Sequence, residues 1–302
     1  MDRVIVIVGP TGVGKTKLSI ELAKRYNGEI INGDSMQVYK EMSIGTAKIK
    51  EEEKEGIPHH LFSILSINES NSIYEFQSLV RNKIKEITAR NKLPIIVGGT
   101  GLYLKACLYD YEFIESKESS NLVKKYENLT NEELHNVLLN LDKESADKIH
   151  FNNRRRVLRA IEICLENGES KSNLEAKQEH KLLYDAVVIG LTLDRSLLHN
   201  IQDKRVDKMM EEGLLEEVKL LINNKDFYNN TASQAIGYKE FIPYFNNEIT
   251  LDEAINQIKI HTHQYAKRQY TFFRHQLNVN WVEVDLNNFD KTIETANNII
   301  DG

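Results

Sequence analysis

The chain has 302 residues, 41% of them hydrophobic and 28% charged, which allows one large core or a core domain carrying an inserted smaller one. Its net charge of −6, from 39 basic and 45 acidic side chains, argues against a protein that coats nucleic acid indiscriminately but leaves room for a local basic groove. No apolar run approaches the roughly 20 residues needed to cross a bilayer, the first residues carry no leader features, and Cys107 and Cys164 lack metal-ligand spacing, so the expectation is a cytoplasmic protein without membrane contact or a cysteine-held metal.

In chain order, residues 4–8 form an apolar run that reads as a buried strand, and a glycine-rich turn leads into a helix starting near Lys15, with Leu18, Leu22, Ala23 and Tyr26 on one side. Residues 29–32 read as a second strand. A helix is predicted over 73–90 from the spacing of Phe76, Leu79, Val80, Ile84 and Ile87, followed by a short strand over 94–97 that ends in Gly98-Gly99. From about residue 112 to 181 the chain turns polar, rich in lysine and glutamate, without strand character. Strand character returns over 186–193, helices are predicted around 206–221 and 252–273, a loop over 223–230, and a last strand over 280–285. Alternating strands and helices predict an α/β fold: a P-loop-containing parallel sheet flanked by helices, built from 1–112 and 182–302, with a mostly helical domain inserted at 113–181.

Gly9-Pro10-Thr11-Gly12-Val13-Gly14-Lys15-Thr16 matches the phosphate-binding loop pattern after a strand and before a helix. Glycines let successive amides turn toward a phosphate, the helix N-terminus adds positive potential, Lys15 neutralises oxygens, and Thr16 can ligate Mg2+. The ligand is therefore a polyphosphate. Nucleotide hydrolases commonly end a strand with a metal-binding Asp, yet Ile95-Ile96-Val97 runs into Gly98-Gly99-Thr100. Asp194 could imitate that acid, but it leads into a helix and reads better as an N-cap. Asp34, just past the second strand, lies on the sheet edge where ligands gather and can act as a general base; its spacing alone leaves a turn-capping role equally open. Arginines at 154–156 and 159, and basic residues along 259–274, are candidate phosphate-backbone contacts, against the alternative of a solvated helix face. His59-His60 has no companion ligand at metal spacing and is expected to be structural, as Tyr265, Tyr270, Phe272 and Phe273 are expected to be core.

The phosphate loop occurs together with Asp34-Ser35-Met36-Gln37-Val38-Tyr39, Ile44-Gly45-Thr46-Ala47-Lys48, Pro58-His59-His60 and Gly98-Gly99-Thr100-Gly101-Leu102-Tyr103. Asn152-Asn153, Arg155-Arg156-Val157-Leu158-Arg159-Ala160, Arg205-Val206-Asp207, Gly213-Leu214, Ile236-Gly237-Tyr238 and Ala266-Lys267-Arg268-Gln269 follow in order. This set resembles the bacterial tRNA dimethylallyltransferases over nearly the whole chain. The resemblance implies transfer of a dimethylallyl group from dimethylallyl diphosphate to N6 of the adenosine 3′ of the anticodon, with tRNA and the diphosphate as partners, Mg2+ as cofactor and a monomeric enzyme. It implies that Lys15, Thr16 and residues 9–16 hold the diphosphate and that Asp34 takes the amine proton. Ser35, Met36, Gln37 and Thr100 would surround the extruded base, Arg155, Arg156 and Arg159 of the inserted domain would grip the anticodon stem, and Lys267 and Arg268 would contact its backbone.

The chain departs from the family pattern at Phe151, at His263, over residues 201–203, and at Gln234, where some members carry an arginine. A P-loop nucleotide or small-molecule kinase is the alternative; it shares the loop and the size but would need a strand-end acid and has no use for the arginine clusters.

Overall fold

The computed structural model describes residues 1–69, 71–111, 113, 124–126, 128–177, 179–229 and 231–302. Two compact units emerge, Met1–Tyr109 with Leu182–Gly302, and Asp110–Lys181. The second unit begins at Asp110, and Glu112, near the expected change of character, lies outside the described residues.

The first unit is built on six parallel strands, β1 (Arg3–Val8), β2 (Gly28–Asn32), β3 (His59–His60), β4 (Leu93–Gly98), β5 (Asp185–Thr192) and β6 (Asn280–Glu283), in the order β3-β2-β4-β1-β5-β6. Side chains alternate across a strand, so β1 feeds two cores: Val4, Val6 and Val8 join one apolar layer, Ile5 and Ile7 the other. Helices α1 (Lys15–Arg25), α2 (Ile73–Ala89) and α3 (Gly101–Leu108) cover the amino-terminal half. Ser72 and Glu75 cap α2 reciprocally, and Phe76, Val80, Ile84 and Ile87 are buried as their spacing predicts, whereas Leu79 turns outward.

The second unit holds α4 (Asn131–Leu141), α5 (Lys143–Lys148), α6 (Arg154–Asn167) and α7 (Lys171–Ala176) around Leu134, Leu138, Val157, Ala160 and Ile161. Asp142 organises it. The buried carboxylate accepts from Ser145 N at 3.0 Å and Oγ at 2.6 Å, and from Ser172 N at 2.8 Å and Oγ at 2.7 Å. Burial pushes its carboxyl pKa up, but these donors outweigh that and hold it down at about 2.

Back in the first unit, the helix expected over 206–221 is two helices, α8 (Arg195–Glu211) and α9 (Leu214–Ile222), because the break falls at Gly213 with φ 98°. Asp194 caps α8, accepting from Ser196 N at 2.9 Å and Leu197 N at 3.1 Å. The loop expected over 223–230 instead contains α10 (Lys225–Asn229); Asn224 Oδ1 accepts from Asp226 N at 3.0 Å to start the turn, and Phe227 is fully buried. Residue 230 lies outside the described residues. Helices α11 (Phe241–Phe245), α12 (Leu251–Gln276) and α13 (Phe289–Asp301) complete the unit. The sequence reading missed the two-residue β3 and α13, whose Ala296 and Ile300 pack into the same layer as α1. Among the described residues no helix is long and apolar enough to cross a membrane.

Candidate active site

Strands β1, β2 and β4 end side by side, so the three segments that follow them, residues 9–16, 33–37 and 99–100, gather at one edge of the sheet. They approach closely: Gly33 N donates to Val97 O at 2.8 Å, and a Cβ at Gly98 would fall 2.1 Å from Gly33 O, so only glycine permits this juncture. In the phosphate loop, Gly12 and Gly14 adopt φ of 87° and 97°, which turns the loop into α1. Val13 does not face a ligand; its side chain is buried in the core beside α1, so only its backbone is left for the loop's task. Lys15 Nζ donates to its own loop, to Gly9 O at 2.9 Å and Pro10 O at 2.7 Å. Burial, followed by the Arg205 guanidinium, lowers its pKa to about 7, with Asp34 opposing the shift.

Asp34 is fixed by an Asx turn: its N–H donates to Asn32 Oδ1 at 2.8 Å, and its Oδ1 accepts from Met36 N at 2.8 Å. The turn role is therefore met by one oxygen, while the other takes no donor from the described residues. The Thr100 hydroxyl accepts from Ser35 N at 3.2 Å. Gln37 Nε2 donates to Thr46 O at 2.9 Å, and the 43–46 segment is cradled by Glu217, which accepts from Ser43 N at 3.0 Å, Ile44 N at 2.8 Å and Gly45 N at 3.1 Å, and from the Tyr238 hydroxyl at 2.6 Å.

The facing wall comes from α8 and α12. These run antiparallel, as Lys259 meets Asp207 at 2.5 Å and His263 meets Asp203 at 2.8 Å. Gln202, Arg205, Val206 and Met209 recur at helical spacing on the cavity face of α8. Gln202 Nε2 donates to Thr11 O at 3.0 Å and ties the helix to the phosphate loop. From α12, Gln269 Nε2 donates to Gly99 O at 2.9 Å, and Tyr265, expected in the core, faces the cavity instead with its hydroxyl 3.5 Å from Gly99 O. Burial raises the Tyr265 pKa, so the phenol stays neutral.

Together these walls enclose a cavity of about 700 Å3. Lys15, Lys17, Arg205, Lys239 and Arg268 line it against a single carboxylate, Asp34, in a chain that is acidic overall. Among the predicted site residues, Thr11, Gly12, Gly14, Lys15, Thr16, Asp34, Ser35, Met36, Gln37 and Arg268 line the cavity. Gly9, Pro10, Val13, Thr100 and Lys267 do not; the Thr100 hydroxyl holds the backbone of Ser35, which does line it, and Lys267 is exposed on α12. Arg155, Arg156 and Arg159 are exposed on α6 of the helical unit, with Arg159 paired to Glu162 at 2.5 Å. Sequence reasoning did not single out Gln202, Arg205 and Gln269 as site residues. Arg205 stands in a quoted motif, but nothing in its neighbours shows that its guanidinium turns into a cavity.

His60 accounts for one of the paired histidines: its Nε2 lies 2.6 Å from Glu29, which Arg90 also reaches at 2.6 Å, while His59 Nδ1 lies 2.8 Å from Ile57 O. Among the described residues no group of three or more His, Cys, Asp or Glu could hold a metal ion. The cavity does offer the Thr16 hydroxyl beside the loop amides. That donor set fits Mg2+, which keeps several waters and binds through few protein oxygens plus substrate phosphates.

A family model described as IPP transferase matches residues 37–276. A tRNA dimethylallyltransferase of Anoxybacillus flavithermus is 48% identical over 302 residues, covering 100% of this chain and 97% of its own. One from Bacillus anthracis is 50% identical over 287 residues, covering 94% of this chain and 91% of its own. Among solved structures, a tRNA delta(2)-isopentenylpyrophosphate transferase from Staphylococcus epidermidis superposes with a TM-score of 0.74 at 45% identity, covering 100% of this chain and 99% of that one. A eukaryotic dimethylallyltransferase acting on tRNA gives 0.86 at 34% identity, covering 98% and 78%.

Proposed function

We infer, from the premise that this chain belongs to the IPP transferase family and is a prenyltransferase acting on tRNA, that it moves a dimethylallyl group from dimethylallyl diphosphate to N6 of the adenosine 3′ of the anticodon. The observation that carries this reading is a cavity that joins a phosphate loop, a cluster of cations and one open carboxylate.

An adenine amine is a weak nucleophile, so the barrier falls by stabilising the departing diphosphate and by aligning the amine with the allylic carbon. The loop amides, Lys15 and Arg205 hold the diphosphate. Lys15 exchanges its two backbone carbonyls for phosphate oxygens, and the ligand's charge separates it from Arg205 electrostatically. Thr16 would hold Mg2+, which when bound neutralises developing charge on the leaving group. As the N6–C bond forms and the C–O bond to diphosphate breaks, the open oxygen of Asp34 accepts the amine proton. Ser35, Met36 and Gln37 line the space for a base drawn out of its stack. Arg155, Arg156 and Arg159 on the helical unit, with Lys267 and Arg268 on α12, contact the tRNA backbone. The enzyme acts as a cytoplasmic monomer.

Incubation with labelled dimethylallyl diphosphate, Mg2+ and unmodified tRNA tests this. Label is expected in the adenosine beside the anticodon; transfer of phosphate from ATP to a small acceptor, with no label in tRNA, would overturn it.

A further inference from the structure

Gln37 carries more information than its position on the cavity wall. A carbonyl oxygen can only accept, so the bond to Thr46 O at 2.9 Å commits the NH2 end of the Gln37 carboxamide and turns Oε1 the other way. That oxygen is not enclosed and takes no hydrogen bond from the described residues. Thr46 is itself held: its hydroxyl donates to Met42 O at 2.7 Å, and Glu217 grips the three preceding amides. Flipping the carboxamide would set Oε1 against Thr46 O, so Gln37 presents a fixed acceptor.

Three residues earlier, Asp34 presents a second one, the oxygen left open by its Asx turn. Two acceptors on one short segment, from two residues that line the cavity, complement a group with two N–H hydrogens. An exocyclic amine is such a group. A 6-oxo base would set its own acceptor against both, and neither could rotate to offer a donor.

We propose that Gln37 selects a 6-amino over a 6-oxo nucleobase, its Oε1 accepting one N–H of the exocyclic amine while Asp34 accepts the other. The inference rests on the transfer reading above and adds its base selectivity. It also divides the two hydrogens: the one on Asp34 leaves as the new N–C bond forms, and the one on Gln37 stays on the secondary amine of the product.

The test uses the full chain with inorganic diphosphate and Mg2+, and two anticodon stem-loops that differ only in adenosine or inosine 3′ of the anticodon. Binding is read by fluorescence anisotropy. The unsubstituted protein should favour adenosine by about tenfold or more, and Gln37→Met should reduce that preference to about threefold, the remainder coming from Asp34. If thermal unfolding shows that Gln37→Met does not fold, Gln37→Asn, one methylene shorter and unable to span from Thr46 to the base, should lose the preference in the same way. Equal binding of the two stem-loops by the unsubstituted protein, or a full preference retained by a folded variant, overturns the inference. Failure of label transfer in the earlier assay, with the binding preference intact, would count against the reaction and not against Gln37.

Discussion

Asp34 shows how one side chain serves structure and chemistry together. Its Oδ1 shapes the turn, so an amide at this position keeps the shape while losing the base. Asp34→Asn should therefore fold and still bind tRNA, with a weakened preference for adenosine, but lose prenyl transfer by about 10²- to 10⁴-fold, measured under single-turnover conditions. Lys15 gives a prediction in pH. Its free-state pKa of about 7 lies below its ordinary 10.5, so between these values much of the free enzyme lacks this charge, whereas a bound diphosphate restores it. Diphosphate binding at pH 8.5 should draw in a proton, visible by calorimetry as a heat that depends on the buffer, and Lys15→Ala should abolish the difference. Both residues were legible in the sequence because their chemistry is local. Arg205, Gln202 and Gln269 were not, since each glutamine shows its role only when its partner, Thr11 or Gly99, lies across a cavity, and the arginine only when its helix face lines one.

Among the secondary-structure elements, α2 was readable and β3 was not, and α13 was missed despite its thirteen residues. The seventeen residues of α2 give several turns of buried spacing and a Ser72-Glu75 capping box, whereas β3 has two residues and no period to detect. The 223–230 segment looked like a loop because asparagines dominate it, yet Asn224 uses that same chemistry to cap α10. In the helical unit, Asp142 joins α4 and α5 to α7 through its four donors. A carboxyl pKa lowered in the folded chain stabilises it fully above the unfolded value, and the stabilisation fades as pH falls through the folded one. For Asp142 that window runs from 3.8 down to about 2. Asp142→Asn should cost about 2 kcal/mol at pH 7, and urea unfolding of variant and parent should converge as pH is lowered through that window.

At the scale of the whole molecule, charge is partitioned. A chain of net charge −6 gathers five cations around one carboxylate in its cavity and leaves Arg155, Arg156 and Arg159 exposed on α6. If these three contact tRNA phosphates, replacing them with alanine should weaken binding and flatten its salt dependence, reducing the slope of log K against log salt by about 2 to 3. An unchanged slope would leave α6 as a solvated face. The sequence by itself determined the fold class, the phosphate loop and the family, because each is written in contiguous residues: an apolar strand, a glycine turn, a helix start, and motifs read in order. Tertiary structure alone decided that Arg205 joins Lys15, that Tyr265 leaves the core, and that Thr46 turns Gln37. These pairings close distances between segments far apart in the chain, and no local pattern encodes which side of a helix will meet which loop.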